Sequence, residues 1–380
     1  MHDASPGPDI ACADLTTFCR LDELGLEVTG QRLDPDRAVL ACRVVEPDQR
    51  CRRCGCEGAP RDTILRRLAH EPFGWRPTTL HVTVRRYRCS GCGHVWRQDT
   101  SRAAEPRTKL SRRGLRWALE GIVVQHLTVA RVAEGLGVAW NTANDAVLSE
   151  GKRVLIDDPD RFDGVTAIGV DEHVWRHTRC GDKYVIVIID LTAIRDGTGP
   201  ARLLDMVKGR SKQAFKTWLA DRPDAWREQV EVVAMDGFTG FKTAASEELP
   251  DAVAVMDPFH VVRLGGDALD RCRRRVQQVI HVTAAAGTTR STRRAGPCTP
   301  VPTCSPTSTL ITLGRTLKRR AADVLAYFDC PGASNGPTEA INGRLEHLRG
   351  SALGFRNLTN YIARSLLETG GFRPRLHPGS

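Results

Sequence analysis

Residues 165–173 read Val-Thr-Ala-Ile-Gly-Val-Asp-Glu-His, a short apolar run that ends in acidic residues. Apolar runs of this length are typical of strands that are buried on both faces of a sheet. Five such strands are predicted along this part of the chain, at residues 165–173, 184–190, 202–207, 230–238 and 252–260. Asp171, Asp236 and Asp257 lie at or near the ends of three of them. The sequence therefore predicts an α/β domain.

The repeated acids indicate a metal site at one edge of this sheet. A single Asp after a strand is more often a turn or helix-capping residue than a ligand. Several carboxylates that meet at one sheet edge can, however, hold two Mg²⁺ ions roughly 4 Å apart for phosphoryl transfer. The joint pattern therefore favours a catalytic function.

Two Cys-x-x-Cys pairs precede this domain. They are Cys51 with Cys54 and Cys89 with Cys92, and a Gly follows each second cysteine. In a long chain of this kind, such pairs are more often metal ligands than disulfides. The four thiols predict a closed tetrahedral Zn²⁺ site, which stabilises a module and implies no catalysis. Cys56 is a possible alternate ligand.

Residues 127–147 have the pattern of a helix-turn-helix. Thr128 is placed to cap the first helix, residues 137–138 would form the turn, and residues 139–148 would form the recognition helix. An ordinary helical hairpin is the alternative. The side chains predicted to meet base edges at the exposed start of the recognition helix are Trp140, Asn141, Thr142 and Asn144.

Basic residues are concentrated in the same part of the chain. The whole chain has a net charge of +10, and residues 51–120 hold 16 Lys+Arg against 6 Asp+Glu. A local positive field favours a polyanion such as nucleic acid, although a solvated Arg-rich face is the alternative. Arg112 and Arg113, just before the helix-turn-helix, are predicted to contact DNA phosphates.

The composition is that of a globular protein. Of the 380 residues, 41% are hydrophobic and 26% are charged. The sequence contains no apolar run of about 18 residues and no signal-peptide pattern near its start. We therefore expect a cytoplasmic, nucleoid-associated protein without a membrane partner.

Taken in order, these motifs resemble the DDE transposases of bacterial insertion sequences, of the ISL-three type. Besides the cysteine pairs and the helix-turn-helix, the matching stretches are residues 169–173, 234–238, 257–262, 334–342, 344–346 and 354–357. The resemblance implies a multidomain α+β protein with a four-cysteine zinc module, a helix-turn-helix and a ribonuclease-H-like α/β catalytic domain. It also implies that Asp171, Asp236 and Glu339 form the catalytic triad and hold two Mg²⁺ or Mn²⁺ ions.

The same resemblance implies the function and the partners. The activity would be metal-dependent cleavage of DNA at insertion-sequence ends, followed by strand transfer. The partners would be double-stranded DNA, as terminal inverted repeats and as target, and further copies of the chain in a homo-oligomer on DNA.

The third acid of the triad has a rival. Residues 335–337, Asn-Gly-Pro, predict the start of a helix, so Glu339 would lie in its first turn. Glu346 lies two turns further along the same helix. Asp257 and His260 are expected to fix a strand-to-helix corner rather than to line the site.

Residues 283–308 differ in composition from the rest of the chain. The stretch 271–322 contains no Asp or Glu, and residues 283–308 contain four prolines and no apolar periodicity. The family resemblance implies a long helical insertion here, so the insertion at residues 281–309 is short and irregular. A frameshifted, damaged copy is favoured over a genuine linker. We expect the catalytic core to assemble while residues 283–308 stay disordered or poorly packed.

These features divide the chain into four predicted domains. They are an N-terminal segment (1–48), a zinc-binding domain (49–105), a helix-turn-helix domain (106–160) and a catalytic domain (161–380). Two other functions stay open, a DNA-binding regulator without catalysis and a ribonuclease-H-like nuclease that cuts without joining. The regulator alternative leaves the repeated acids unexplained.

Overall fold

The structure, a computed structural model, describes residues 14–178, 181–288 and 306–377. The chain forms two compact units, Met1–Asp157 with Phe372–Ser380 and Asp158–Gly371. Each unit has its own apolar core and its own five-stranded sheet. Among the described residues, none of the helices combines the length and the apolar character that a membrane span requires.

The first unit begins with a short helix and a sheet. Helix α1 is Leu15–Phe18, and a 3₁₀ turn follows at Asp22–Leu24. The strands are β1 (Leu26–Leu33), β2 (Ala38–Val44), β3 (Gly58–Phe73), β4 (Arg76–Cys89) and β5 (Val95–Arg97). Strand β4 pairs in parallel with β2 and antiparallel with β3 and β5, and β1 pairs antiparallel with β2.

The alternation predicted for residues 80–88 is present in β4. Leu80, Val82 and Val84 are buried, whereas Thr83 and Arg85 are exposed. Because side chains of a strand alternate between the two faces of a sheet, Leu80, Val82 and Val84 all reach one core. That core also receives side chains from β1, β2 and β3 and from the turn at Asp22–Leu24.

Three helices follow the sheet in the first unit. They are α2 (Arg112–Val123), α3 (Val129–Leu136) and α4 (Trp140–Gly151), and a π-helical turn ends the run at Lys152–Ile156. The predicted cap is confirmed, since Thr128 Oγ1 accepts a hydrogen bond from the Arg131 N–H at 3.3 Å. The predicted turn is confirmed at Gly137, whose φ of +63° is the left-handed conformation that glycine adopts most readily.

The second unit contains a sheet with helices packed against it. Its strands are β6 (Ala167–Val174), β7 (Tyr184–Asp190), β8 (Arg202–Lys208), β9 (Val232–Met235) and β10 (Val253–Met256). A 3₁₀ turn at Pro159–Phe162 precedes them. The helices are α5 (Thr192–Arg195), α6 (Lys212–Ala220), α7 (Asp224–Gln229), α8 (Thr239–Glu248), α9 (Pro258–Thr288), α10 (Pro306–Arg319), α11 (Ala321–Asp329), α12 (Gly336–Ser351) and α13 (Leu358–Thr369).

The strand order β10-β9-β6-β7-β8 brings the acids to one edge. Strands β6, β7 and β8 are antiparallel neighbours, whereas β9 and β10 run parallel to β6. The carboxyl ends of β6, β9 and β10 therefore point the same way. All five predicted strands are present, and their buried side chains form the core of this unit together with Phe215 and Phe241 from the helices.

The division into four domains stays a prediction. The packing shows, in addition, which of the predicted segments share a compact unit. Strands β1 and β2, from the predicted segment 1–48, belong to the same sheet as β3, β4 and β5. The last helix, α14 (Arg373–Leu376), belongs to the first compact unit, where the Arg116 guanidinium donates to the Leu376 carbonyl. Contacts between segments that are distant in the chain therefore set the boundaries of the units.

The ends of the unusual segment 283–308 are helical. Helix α9 continues to Thr288, and α10 begins at Pro306. Residues 284–286 are all Ala, which has the highest helix propensity, and Pro is favoured at the start of a helix. These ends are therefore helical rather than disordered. The central part of the segment, residues 289–305, lies outside the described residues.

A glycine permits the packing of Trp96 in the first unit. The Trp96 ring stacks on Tyr87 at 5.7 Å between centroids, and its Nε1 donates to the Asp48 carbonyl at 2.8 Å. A Cβ on Gly58 would overlap the Trp96 ring. Gly30 offers a matched strand position, because its nearest neighbour would be 3.7 Å from an added Cβ.

We expect Gly58→Ala to lower the free energy of unfolding of the first unit by about 1–3 kcal/mol, as overpacking does in a core. Gly30→Ala should change it by less than about 0.5 kcal/mol. Hydrogen exchange of the β4 amides measures both. Equal effects of the two substitutions would contradict the packing role of Gly58.

Candidate functional site

Two of the predicted acids lie side by side on neighbouring strands. Val170 of β6 is in register with Met235 of β9 in a parallel pair, so the next residues, Asp171 and Asp236, lie at the same level of the sheet. Asp171 Oδ1 accepts the Glu172 N–H at 2.8 Å, and Asp236 Oδ1 accepts the Phe238 N–H at 2.8 Å. Each carboxylate is thus held by the backbone next to it.

The third acid reaches the same place from helix α12. Glu339 lies in the first turn of α12, as predicted. Asn342, one turn further on, donates from Nδ2 to Asp171 Oδ2 at 2.9 Å. The start of the helix is fixed to β6 because Asn335 Nδ2 donates to the Val170 carbonyl at 3.4 Å.

Gly169 makes this close approach possible. A Cβ at Gly169 would lie 2.9 Å from Thr338 Oγ1 and 3.2 Å from Asn335 Oδ1. These distances are shorter than ordinary van der Waals contacts, so a larger residue would displace the first turn of α12. The position of Glu339 therefore depends on a glycine in the neighbouring strand.

The electrostatics of the three acids favour a bound cation. Burial, first of all, and the negative charges of Asp236 and Glu339 together raise the pKa of Asp171 to about 7. The Asn342 Oδ1 atom is buried without a hydrogen-bond partner among the described residues. Three carboxylates and an amide oxygen are the ligand types that suit Mg²⁺ or Mn²⁺. The residues present therefore fit a divalent cation site.

Glu346 is placed differently from Glu339. Its carboxylate pairs with Arg349 and lies 4.0 Å from His173 Nε2. Burial lowers the pKa of His173, and the negative charge of Glu346 opposes that shift. Glu339, by contrast, raises the pKa of Asp171. The geometry therefore favours Glu339 as the third member of the acidic site, which we define as Asp171, Asp236 and Glu339.

Asp257 connects a strand to two helices. Its side chain is 4% exposed, and its two oxygens accept the His260 N–H at 3.1 Å and the Asn335 N–H at 2.9 Å. The first bond caps helix α9 and confirms the expected strand-to-helix corner. The second bond, which the sequence did not predict, fixes the start of α12. The His260 ring covers Gly237, the residue after Asp236.

A buried ion network supports the loop after β9. Arg320, which is 6% exposed, pairs with Asp323 and donates from an Nη atom to the Gly237 carbonyl at 3.1 Å. Lys242 Nζ completes the network at 2.7 Å from Asp323. The residues on both sides of the unusual segment thus contribute to one site.

Sequence reasoning missed two of these supporting residues. Asn342 had a local signal, because it lies three residues after Glu339 and therefore on the same side of the helix. Arg320 had none, since its partner Gly237 is distant in sequence. A basic residue in a basic stretch gives no indication of which carbonyl it contacts.

The four predicted cysteines form one group in the first unit. The sulfur atoms of Cys51, Cys54, Cys89 and Cys92 all lie within 4.8 Å of one another. The Cys51–Cys92 and Cys54–Cys89 sulfur pairs are 3.7 and 3.3 Å apart. Thiolates around a tetrahedral metal with bonds of about 2.3 Å lie about 3.8 Å apart, so the group has the dimensions of a metal site.

Local hydrogen bonding also suits metal binding. The Cys92 N–H donates to Cys89 Sγ at 3.4 Å and lowers the pKa of that thiol, which favours the thiolate form. Cys56 lies beside the group, where its sulfur would be 2.9 Å from a Cβ on Gly91, but it is not one of the four. The predicted set of ligands is thus brought together, and the alternate is not.

The predicted base-reading residues divide between two faces of α4. Trp140 is 51% exposed, Asn141 is exposed and Thr142 is half-buried. The predicted exposure of Asn144 is wrong, because this side chain is 6% exposed. Asn144 shares the packed face of α4 with Ala143, Val147 and Leu148, one turn apart.

The predicted phosphate contacts are engaged within the protein. Arg113 is held by Glu71 at 2.6 Å and by Glu23 at 3.1 Å, and its side chain is only 20% exposed. Arg112 pairs with Glu105 and donates to the Ser101 carbonyl at 2.8 Å. Both arginines begin helix α2, where positive charge is unfavourable, and the carboxylates offset it. This geometry contradicts a free phosphate-binding role for Arg113.

We expect Arg320→Ala to lower the free energy of unfolding around β9 by about 3–5 kcal/mol, because it leaves Asp323 buried with one partner fewer. The matched control is Arg319→Ala, which removes the exposed side chain of the preceding residue and should cost less than about 0.5 kcal/mol. Hydrogen exchange of the β6 and β9 amides measures both. A cost for Arg320→Ala as small as that for Arg319→Ala would show that the network contributes little.

Comparison with known proteins identifies relatives of the chain. Residues 168–296 and 298–365, together more than half of the chain, match the sequence model of the ISL-three DDE family, which is described as transposase. The two matched stretches are separated by residue 297, which lies inside the unusual segment. It includes all three members of the acidic site.

Two curated relatives are transposases of insertion sequences. The chain is 24% identical over 236 residues to the transposase for insertion sequence element IS1001 of Bordetella parapertussis. The aligned residues cover 59% of this chain and 52% of that protein. It is 30% identical over 148 residues to the transposase for insertion sequence element IS1557 of Mycobacterium tuberculosis (strain CDC 1551 / Oshkosh), or 38% and 30% of the two lengths. The chain thus spans about half or less of the curated relatives it matches. On the family match, the chain belongs to the ISL-three type of DDE transposases.

Proposed function

We propose that this chain is a transposase that cleaves DNA at insertion-sequence ends and joins the cut end to target DNA. The observation that carries the proposal is the convergence of Asp171, Asp236 and Glu339 at the ends of two parallel strands and at the start of α12. The curated relatives are named as transposases of insertion sequences. Nuclease activity without joining, and DNA binding without catalysis, are the other outcomes of the tests below.

The proposal includes a ribonuclease-H-like catalytic domain and a helix-turn-helix. A sheet of three antiparallel strands followed by two parallel ones, with helices on the same unit, supports a ribonuclease-H-like catalytic domain. The capped α3, the left-handed Gly137 and α4 support a helix-turn-helix. One fold can carry many activities, so the proposed function depends on the three acids.

The acidic site would hold two Mg²⁺ or Mn²⁺ ions, with Asp171, Asp236 and Glu339 as ligands. When bound, the ions supply Lewis-acid stabilisation of the charge that develops on the phosphate. The protein holds the ligands in position. Asn342 orients the Asp171 carboxylate, and hydrogen bonds from neighbouring backbone N–H groups fix Asp171 and Asp236. The burial of Asp171 strengthens its attraction for a cation.

The proposed reaction has two displacements at phosphorus. Water attacks the phosphodiester at the transposon end, and the bond to the 3′-oxygen breaks to leave a 3′-hydroxyl. That hydroxyl then attacks a phosphodiester of the target strand, where a second 3′-oxygen leaves. The substrates are thus double-stranded DNA, both as terminal inverted repeats and as target. A homo-oligomer of the chain would hold two ends together. The reaction would take place in the nucleoid, within the cytoplasm.

DNA recognition is proposed for α4 and its surroundings. Trp140, Asn141 and Thr142 stand at the start of the helix, and Asn141 suits a bidentate contact with adenine. Arg107 and Lys109, exposed in the link before α2, are better placed than Arg113 to contact phosphate. The four-cysteine site would hold a structural Zn²⁺ ion that stabilises this unit.

The unusual segment bears on the activity of this copy. We propose a frameshift remnant at residues 283–308, because its composition departs from that of the rest of the chain. The acidic site nevertheless assembles from residues on both sides of it, which supports an intact core. Strand transfer would be weak, and comparison of the reading frames with those of an intact copy tests the proposal.

Glu339→Gln should abolish Mg²⁺-dependent cleavage of a duplex that carries the insertion-sequence end, because a neutral amide binds the cation far less strongly. Glu346→Gln, on the same helix, should retain most of the cleavage activity. Gel assays of cleavage and of joining to a second duplex measure both steps. Loss of activity in Glu346→Gln alone would exchange the roles of the two acids, and cleavage without joining in the parent chain would favour the nuclease.

Metal analysis of the purified chain should find one Zn²⁺ ion per chain. Cys89→Ser should lose this ion and unfold the first unit, since structural zinc supplies on the order of 10 kcal/mol in small modules. Cys56→Ser should keep the ion, as should Cys330→Ser in the second unit. Zinc loss in Cys56→Ser would mean that Cys56 is a ligand after all.

A further inference from the structure

The hairpin formed by β3 and β4 ends in an unusual turn. Phe73 pairs with Arg76, so Gly74 and Trp75 are the two residues of a tight connection. Their φ angles are +55° and +68°. Positive φ at both positions matches a type I′ turn, in which Asn and Gly are the preferred residues. A tryptophan in this conformation is a clear departure from that preference.

Trp75 is also placed without any cover. Its side chain is 99% exposed, although tryptophan is a residue that gains much free energy from burial. The position therefore combines backbone strain with an exposed indole ring. Both are unfavourable for folding, and strained residues concentrate at functional sites. Neither is explained by any packing role in the first unit.

The location of the turn points to its role. Pro77, two residues after Trp75, packs on Gly137, where an added Cβ would lie 3.0 Å from Pro77 Cβ. Gly137 ends α3 and leads directly into α4. The hairpin end therefore stands beside the start of the proposed recognition helix, where Trp140 and Asn141 are exposed.

The charge of the turn indicates the kind of partner. Arg76 is exposed, and within the described part of the chain no carboxylate lies within ion-pair distance of it. This differs from Arg112 and Arg113, which are paired. An indole ring beside an unpaired guanidinium suits nucleic acid, because apolar side chains wedge between or stack on bases and arginine binds phosphate or the minor groove.

We propose that the hairpin end, residues 74–76, is a second DNA-contacting element that flanks the recognition helix. With α4 in the major groove, Trp75 contacts the adjacent minor groove and Arg76 binds its phosphates. The inference rests on the proposed DNA binding through α4, and it adds a contact that the helix-turn-helix alone does not provide.

A protein partner is the rival occupant of this region. Phe18 and Phe73 are in edge contact at 5.9 Å between ring centroids and border an apolar groove of about 390 Å³. Arg76 and Trp75 do not line that groove. Phe18→Ala therefore alters the groove and leaves the turn intact, which makes it the matched control.

The test uses the full chain and a mixed-sequence 30-base-pair duplex, with binding followed by fluorescence anisotropy over a range of salt concentrations. Trp75→Asn keeps a residue that tolerates positive φ, so it should keep or raise the melting temperature while weakening binding roughly fivefold or more. Arg76→Ala should reduce the salt slope by about one. Phe18→Ala should bind like the parent chain. Netropsin occupies the minor groove. It should therefore weaken duplex binding by the parent chain more than it weakens duplex binding by Trp75→Asn.

The outcomes separate this inference from the proposed function. If the parent chain binds no duplex, the proposed DNA binding through α4 fails, and the hairpin proposal fails with it. If the parent chain binds and Asn141→Ala weakens it, but Trp75→Asn and Arg76→Ala bind as the parent does, only the hairpin proposal is overturned. Unchanged DNA affinity with an altered oligomeric state in Trp75→Asn would assign the turn to a protein contact and would also overturn it.

Discussion

The buried carboxylate of Asp257 is the constraint on which the acidic site depends. It is 4% exposed and accepts backbone N–H groups from the starts of two helices, at His260 and at Asn335. A buried charge of this kind is tolerated only with well-placed donors, so the two helix starts must keep their positions. Because Glu339 lies four residues after Asn335, Asp257 indirectly sets where the third acid meets Asp171.

The loop that carries Asp236 is likewise held by residues from other elements. Arg320 holds the Gly237 carbonyl, and the His260 ring leaves room only for a glycine at that position. A cation site must keep its ligands within a fraction of an ångström of their working positions. Here the rigidity comes from residues that do not themselves carry the chemistry and that lie at the starts of helices α9, α11 and α12.

In the first unit, a metal-type site and a helical element share one scaffold. Helices α2 and α3 pack on the long hairpin of β3 and β4, and the four-cysteine group lies at the other end of those strands, at Cys89. Stabilising the cysteine end thus also orders the strands that support α2 and α3, the two helices on which α4 packs. The ion pair between Arg113 and Glu71 adds to this coupling, because it joins the first turn of α2 to β3.

Local patterns in the sequence determined much of this protein. Strand alternation, apolar runs, the Cys-x-x-Cys spacing and the Asn-Gly-Pro helix start are read within a few residues, and the corresponding elements are present. Which polar residues are free, however, depends on what folds against them. Asn144 and Arg113 look available in the sequence, yet one lies on a packed helix face and the other between two carboxylates. Contacts such as Asp257 with Asn335 and Arg320 with Gly237 join residues far apart in the chain, so only the tertiary structure could decide them, because no local pattern records which distant backbone group a buried side chain will meet.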